Sequence, residues 1–316
     1  MQVKTPEIMT GSALISALFI MTLVAIAATA MSTRLQLDIY RTHLALMSDK
    51  LYLASQGVTF WAMDALDSKH KQLTHIDKEG RVMRFPKKLQ DIYPGIVLKG
   101  ALYDLQARFN INNLQDKKFY IVFYRLLEQS LAKSSHAAER RTLFNALTYW
   151  ISPYQPGRGQ DQMVTYYLKQ KPPYFPSYQP MQSISELRLI QGVTQDIYQK
   201  LVSNLTTLPV VVPININTAP DILLKTLGKG LTPTELEELH NAQGKDGITD
   251  LKDIAELIQK LDIPTNQITI ESTYFLCKAI AQSEDLTLTT YTVLKVHKDK
   301  EGLVSTQIVS ESFQTL

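Results

Sequence analysis

Polar and apolar positions fall into distinct regimes along the chain. Ser12 to Met31, SALISALFIMTLVAIAATAM, is apolar without a break. It holds no charge, proline or glycine, and Arg34 is the first charge beyond it. About 20 helical residues rise about 30 Å, the thickness of a bilayer's hydrocarbon core. Apolar residues then recur at helical spacing, at Leu35, Ile39, Leu46 and Leu53, with no glycine before Gly57 and no proline before Pro86. The spacing predicts one helix continuing from 32 to about 68. A charged turn follows, from Lys69 to Gly80. Residues 96–113 alternate, with Tyr103, Leu105, Ala107, Phe109 and Ile111 on one face, which predicts a half-buried strand.

From about 119 to 262 the period is helical. Phe119–Ala132 and Ala137–Ile151 have helical apolar spacing. Residues 152–180, rich in proline and tyrosine and holding PGRG, are expected to form a long irregular loop. Ser183 and Glu186 form a capping box that opens SISELRLIQGV, with Gly192 as the expected helix end. Asp221–Leu227, Thr234–Asn241 and Asp250–Leu261 are further short helices. After Gln267 the period returns to two, and ITIESTYFLCKAIAQ, LTLTTYTVLKVHK and LVSTQIVSES read as three antiparallel strands. Strands separated by a helical block predict an α+β fold with an inserted helical domain.

Composition narrows the chemistry. Across 316 residues the formal charge is +3, too small to drive binding to nucleic acid or acidic lipid. The one cysteine, Cys277, excludes an intrachain disulfide and lies in an apolar run, where a buried inert thiol is expected. The sequence holds no HExxH, GxSxG, P-loop or CxxC motif. Its six histidines are scattered, and His70 and His75 flank a charged turn, where solvation is expected. Two readings of the N-terminus compete. Ala28-Thr29-Ala30 has the small residues of a signal-peptidase site, with Lys4 as a weakly basic start. The helical pattern beyond Arg34 suits a retained anchor instead. Charge does not decide orientation: Lys4 is offset by Glu7, and Arg34, Arg41 and Lys50 lie on the far side, a bias that alone would place the N-terminus outside.

Gly11, after a short polar leader and directly before the apolar run, resembles the class III signal of type IV pilins and type II secretion pseudopilins. That resemblance implies cleavage by a prepilin peptidase between Gly11 and Ser12 on the cytoplasmic side, with the body outside. It also implies glutamate at the fifth mature position, where this chain has Ser16. A carboxylate inside a bilayer is costly unless paired. In these families the glutamate is thought to meet the N-terminal amine of the subunit ahead, and its absence marks the K subunit, which resembles a tip cap.

Further stretches carry the same resemblance to the minor pseudopilin K family: LASQGV at Leu53–Val58, DLQARFNINNL at Asp104–Leu114, SISELRLIQGV, and ININ-TAPDILL from Ile214. The implied plan is a leader (1–11), a transmembrane helix (12–33), a pilin-like α/β domain (34–118 and 265–316), and an inserted α-helical domain (119–264). The implied location is the inner membrane, single-pass, with the N-terminus cytoplasmic and the body periplasmic. The implied partners are the I and J minor pseudopilins, the pseudopilus shaft, the inner-membrane secretion platform and the prepilin peptidase. The implied role, initiating and capping a periplasmic pseudopilus, is structural rather than enzymatic.

Two candidate sites remain. Asn215, Asn217, Thr218, Gly228 and Gly230 belong to a helix, Gly-x-Gly turn and second helix, with Asn217 or Thr218 expected to cap the first helix, Pro220 in its first turn and Asp221 facing its positive end. Such hairpins offer turn amides to DNA phosphates, which makes an anchored or secreted DNA-binding protein the alternative. Nine acids against five lysines between Asn215 and Asp262 oppose that use, so a structural hairpin and no nucleic-acid partner are expected. A secreted enzyme with an unrecognised site is a third reading, disfavoured by the missing motifs. The family resemblance also raises calcium, bound by some members near an Asp-Trp-Ile-Asp and a later Gly-Ala-Glu-Asp stretch. Here those positions read Tyr149-Trp150-Ile151-Ser152 and Gly159-Gln160-Asp161-Gln162. Calcium takes 6–8 oxygens, several anionic. Asp161 alone cannot supply them, so this calcium site is expected to be absent or much weakened, and no other cofactor is expected.

Overall fold

The computed structural model describes residues 10–69, 73–132, 136–155, 161–283, 286–299 and 301–314, without the side chains of 10–12, 161 and 162. The expected leader, His70, Gly159 and Gln160 lie outside these residues. The chain divides into two units, residues 1–53 and 54–316.

One helix, α1, runs from Thr10 to Lys69. In the first unit its apolar side chains stand open, as at Ile15 and Met21. Its hydroxyls turn back onto their own helix: Thr22 Oγ1 donates to Phe19 O (2.8 Å) and Thr29 Oγ1 to Ala25 O (2.8 Å). A hydroxyl satisfied this way adds little polarity to an apolar span.

The second unit opens with the last four turns of α1. Strands β1 (Met83–Arg84), β2 (Val97–Asp104) and β3 (Phe109–Asn110) come next. The long strand expected over 96–113 is thus two. Asp104 Oδ1 accepts from Gln106 N (2.7 Å), and this turn takes the chain out of the sheet, while the apolar alternation continues because the next layer is also a core. Helices α2 (Tyr120–Leu131), α3 (Ala137–Ile151), α4 (Asp161–Leu168) and α5 (Gln195–Val202) follow, then β4 (Leu205–Thr206) and β5 (Ile214–Asn215). Helices α6 (Asp221–Leu224), α7 (Pro233–Gln243) and α8 (Ala255–Lys260) precede β6 (Ile268–Thr269), and β7 (Tyr274–Gln282), β8 (Thr287–Lys298) and β9 (Val304–Phe313) end the chain.

Three further expectations need correction. The 152–180 segment is not wholly irregular, because α4 lies within it between its Gly-rich and Pro-rich parts. The Ser183–Glu186 box does close reciprocally, but on a 3₁₀ helix, Ile184–Leu189, that ends before Gly192. The helical block is not purely helical: β3 pairs with β4 and β5 with β6, both parallel.

The main sheet has the order β1-β2-β7-β8-β9, antiparallel throughout. Ala54, Val58, Ala62 and Ala65 of α1 are buried at helical spacing against it. The approach is close: a Cβ on Gly100 would fall 2.3 Å from Val58 Cγ1. A separate apolar core fills the helical block, with Phe109, Phe119, Phe123, Leu126, Leu147, Leu223 and Leu239 in one cluster. Each such side chain contributes about 1.5–3 kcal/mol by leaving water.

Candidate functional site: a buried polar junction and the N-terminal helix

The sheet and the helical block meet across buried polar side chains. Asp104, at the end of β2, is 2% exposed. Its Oδ2 accepts from Thr218 Oγ1 (2.5 Å), Ser272 Oγ (2.7 Å) and Asn215 Nδ2 (3.0 Å). Burial pushes its carboxyl above the usual range, against the lowering effect of these donors. Gln106 extends the lock, donating to Pro213 O (2.9 Å) and accepting from Thr273 N (2.6 Å). Residues around 104, 215 and 272 are thereby fixed to one another.

Two Asn-Ile-Asn stretches, 110–112 and 215–217, do the same work twice. In each, the first asparagine's Oδ1 accepts from the backbone N–H of the second: Asn112 N to Asn110 (3.2 Å) and Asn217 N to Asn215 (3.0 Å). In each, the second amide clasps one distant residue at both its groups. Asn112 donates to Met181 O (2.9 Å) and accepts from Met181 N (2.8 Å). Asn217 donates to Ile248 O (3.0 Å) and accepts from Ile248 N (2.8 Å). Asn113 clasps Val212 likewise, at 2.7 and 3.0 Å. A primary amide offers one donor side and one acceptor side, so it stands in for a strand neighbour where the backbone has none. Asn217 and Thr218 are therefore not the helix caps the sequence suggests. The N-cap of α6 is Pro220, with no side-chain cap bond.

The sequence reading finds Asn215, Asn217 and Thr218 but assigns them to the hairpin, and it misses Asp104, Gln106, Asn112 and Ser272. The signal is there: uncharged amides recur at alternate positions inside an otherwise apolar pattern, twice with the same spacing.

The hairpin turn joins α6 to α7. Gly228 (φ 54°) and Gly230 (φ 95°) both have left-handed backbone, and a Cβ on Gly228 would lie 2.1 Å from Leu261 O. Arg125 Nη1 donates to Gly228 O (2.5 Å) and Thr226 O (3.2 Å). The Gly230 amide donates to Leu227 O (2.8 Å) and that of Leu231 to Lys225 O (3.0 Å). These two amides are committed inside the turn and are not open to a phosphate. Lys229 itself pairs with Asp262 at 3.3 Å.

Around Tyr149-Trp150-Ile151-Ser152 the ring neighbours are aromatic, and Trp150 Nε1 donates to Glu186 Oε2 (3.3 Å). Tyr149 and Tyr178 share a hydroxyl hydrogen bond (2.8 Å), and Trp150 stacks edgewise on Tyr167 at 5.5 Å. Among the described residues no three His, Cys, Asp or Glu side chains converge as a metal site would need. Cys277 is fully buried and its thiol is pushed up to about 12, chiefly by desolvation, so it carries no reactive thiolate. Gly11, Ser12 and Ser16 all lie within α1, in the first unit.

An apolar N-terminal helix long enough to cross a membrane, followed by a mixed α/β body joined across buried polar groups, fits a single-pass membrane-anchored protein. The family model for type II secretion system protein K matches residues 107–210. The type II secretion system protein K of Klebsiella pneumoniae is 30% identical over 263 residues, 75% of this chain and 76% of that protein. The protein of the same name from Pseudomonas aeruginosa is 24% identical over 274 residues, 82% of this chain and 80% of that protein. A chain of the GspK–GspI–GspJ complex of the enterotoxigenic Escherichia coli type 2 secretion system has the same fold, with a TM-score of 0.68 at 20% identity over 87% of this chain and all of the other. The chain belongs to the type II secretion system protein K family and is a minor pseudopilin.

Proposed function

We propose that this subunit starts and caps a periplasmic pseudopilus. It waits in the inner membrane, N-terminus cytoplasmic and body periplasmic, and joins the I and J minor pseudopilins through side-by-side packing of apolar helices. The shaft then grows beneath it from the secretion platform. The residues between the two parts of the pilin-like domain form an inserted domain, too bulky for another subunit to stack above. The observation that carries this reading is Ser16. Placed inside the apolar run of α1, it leaves the subunit without the carboxylate that would seek the amine of a neighbour ahead. No catalytic activity and no calcium or other cofactor enters the role. The committed turn amides of Gly230 and Leu231 speak against a nucleic-acid partner.

The processing step tests the reading. Prepilin peptidase should cut after Gly11, giving a mature chain that begins at a methylated Ser12. N-terminal sequencing and mass of the protein from membranes read this directly, and Gly11→Val should leave the leader attached. A mature terminus near Met31 would show an ordinary secreted protein and end the proposal.

A further inference from the structure

The two edges of the main sheet are built differently. β1 is two residues long and runs into Pro86, Lys87 and Lys88, the short, proline-bearing and cationic edge that resists pairing. β9 is ten residues long, VSTQIVSESF, with no proline, lysine or arginine. Its outer side pairs with no strand among the described residues. Its only acid, Glu311, is turned inward to Gln56 Nε2 (2.7 Å) and Thr292 Oγ1 (3.3 Å). Its irregularity is one bulge at Val309, which leaves Val304–Ile308 in unbroken register with Leu294–Lys298. Ile308 and Val309 are 41% and 42% exposed, on an edge where water-exposed aliphatic side chains are normally avoided.

We infer that β9 is a docking edge for an extended, uncharged strand of another minor pseudopilin, main chain to main chain. The partner's chemistry follows from the edge. Along Val304–Ile308 the outer amides and carbonyls pair with no strand among the described residues, and such an edge recognises an extended backbone, while apolar residues at 308 and 309 in a strand without lysine or arginine favour a neutral, β-branched or aromatic strand over a charged one. A second copy fits less well. Gln56 and Asp67 of α1 bond to Glu311 and Thr306, so this part of α1 runs antiparallel to β9. Antiparallel pairing of two β9 edges would reverse residues 54–69 of α1 between the copies, against the side-by-side helix packing proposed above. The inference rests on the proposed assembly with other minor pseudopilins.

The test uses the full chain in membranes, produced with the I- and J-type minor pseudopilins of its own system. A photo-crosslinking residue is placed at Ser305 or Gln307, and as controls at Lys87 or Lys88 on the β1 side. Crosslinks to one of these subunits should form from 305 and 307 and not from 87 or 88. Ile308→Lys should lower their yield at least about tenfold. Labelling of the buried Cys277 only after denaturation reports that this variant is folded. Copurification of the subunits is scored separately. A complex that copurifies without β9 crosslinks, with equal crosslinks from both edges, or with crosslinks only between copies of this chain overturns the β9 inference and leaves the assembly reading standing. If nothing copurifies, the assembly reading fails and the inference falls with it.

Discussion

Asp104 shows how one side chain can join two parts of a protein. Four donors from four separate positions in the chain converge on its carboxyl, and no cation is among them. Removing it strands buried donors, so Asp104→Ala should destabilise the protein by on the order of 3 kcal/mol in denaturant unfolding. The pH dependence is more diagnostic. The folded carboxyl holds its proton more tightly than the unfolded one, because burial outweighs the donors. Its contribution to stability is therefore complete below about pH 4, the unfolded value, and declines as pH rises through the higher folded value. Unfolding free energies measured from pH 4 upward should fall more steeply for the wild type than for Asp104→Asn. Equal slopes would show that the carboxyl is not held protonated by its surroundings.

At the scale of elements, long periodic segments were legible and short irregular ones were not. The long helix, the helices near 120–131 and 137–151 and the last two strands stand near their expected positions, because one buried face sets their period, while the strand expected from Ile268 is split: Ile268–Thr269 pairs with β5, and the main-sheet strand starts at Tyr274. The break between β2 and β3 was invisible, since Leu105, Ala107, Phe109 and Ile111 keep alternating while changing from one core to the next. Helix α4 was hidden by the prolines around it. The junction was half legible: the Asn-Ile-Asn stretches stand out, but their partners, Met181 and Ile248, contribute only backbone and so leave no trace in side-chain pattern. The two stretches play matching parts, each starting on the last residue of a two-residue strand paired in parallel. Replacing the clasping amide should therefore have matching effects. Asn112→Asp and Asn217→Asp each set a carboxylate oxygen against a carbonyl. Each should lose about 1–3 kcal/mol of unfolding free energy, whereas Asn112→Ser should lose less than Asn112→Asp. A large loss at only one of the two sites would break the equivalence.

At the scale of the whole molecule, the family and the long apolar helix fit together as a membrane-anchored minor pseudopilin. Position 16 offers the sharpest test of the capping role. Ser16→Glu buries a carboxylate with no amine ahead of it, at a cost of about 2.5–3.5 kcal/mol on insertion scales. Recovery of the membrane complex with the other minor pseudopilins should fall or stay level, while Ser16→Ala leaves it unchanged. A rise in assembly, or entry into the shaft at major-subunit numbers, would remove the reason for placing this subunit first. The architecture also sets a timetable. Asp104 and Ser272 lie 168 residues apart in the chain, and every residue of β2 pairs with β7 across that interval. At the usual pace of protein synthesis, about 5–20 residues per second, β2 exists for about 10–30 s before its neighbour has been made. The helical block, whose contacts are more local, has the time to fold first. The sheet closes last, and until it does its apolar face is the part of the nascent chain that needs shielding.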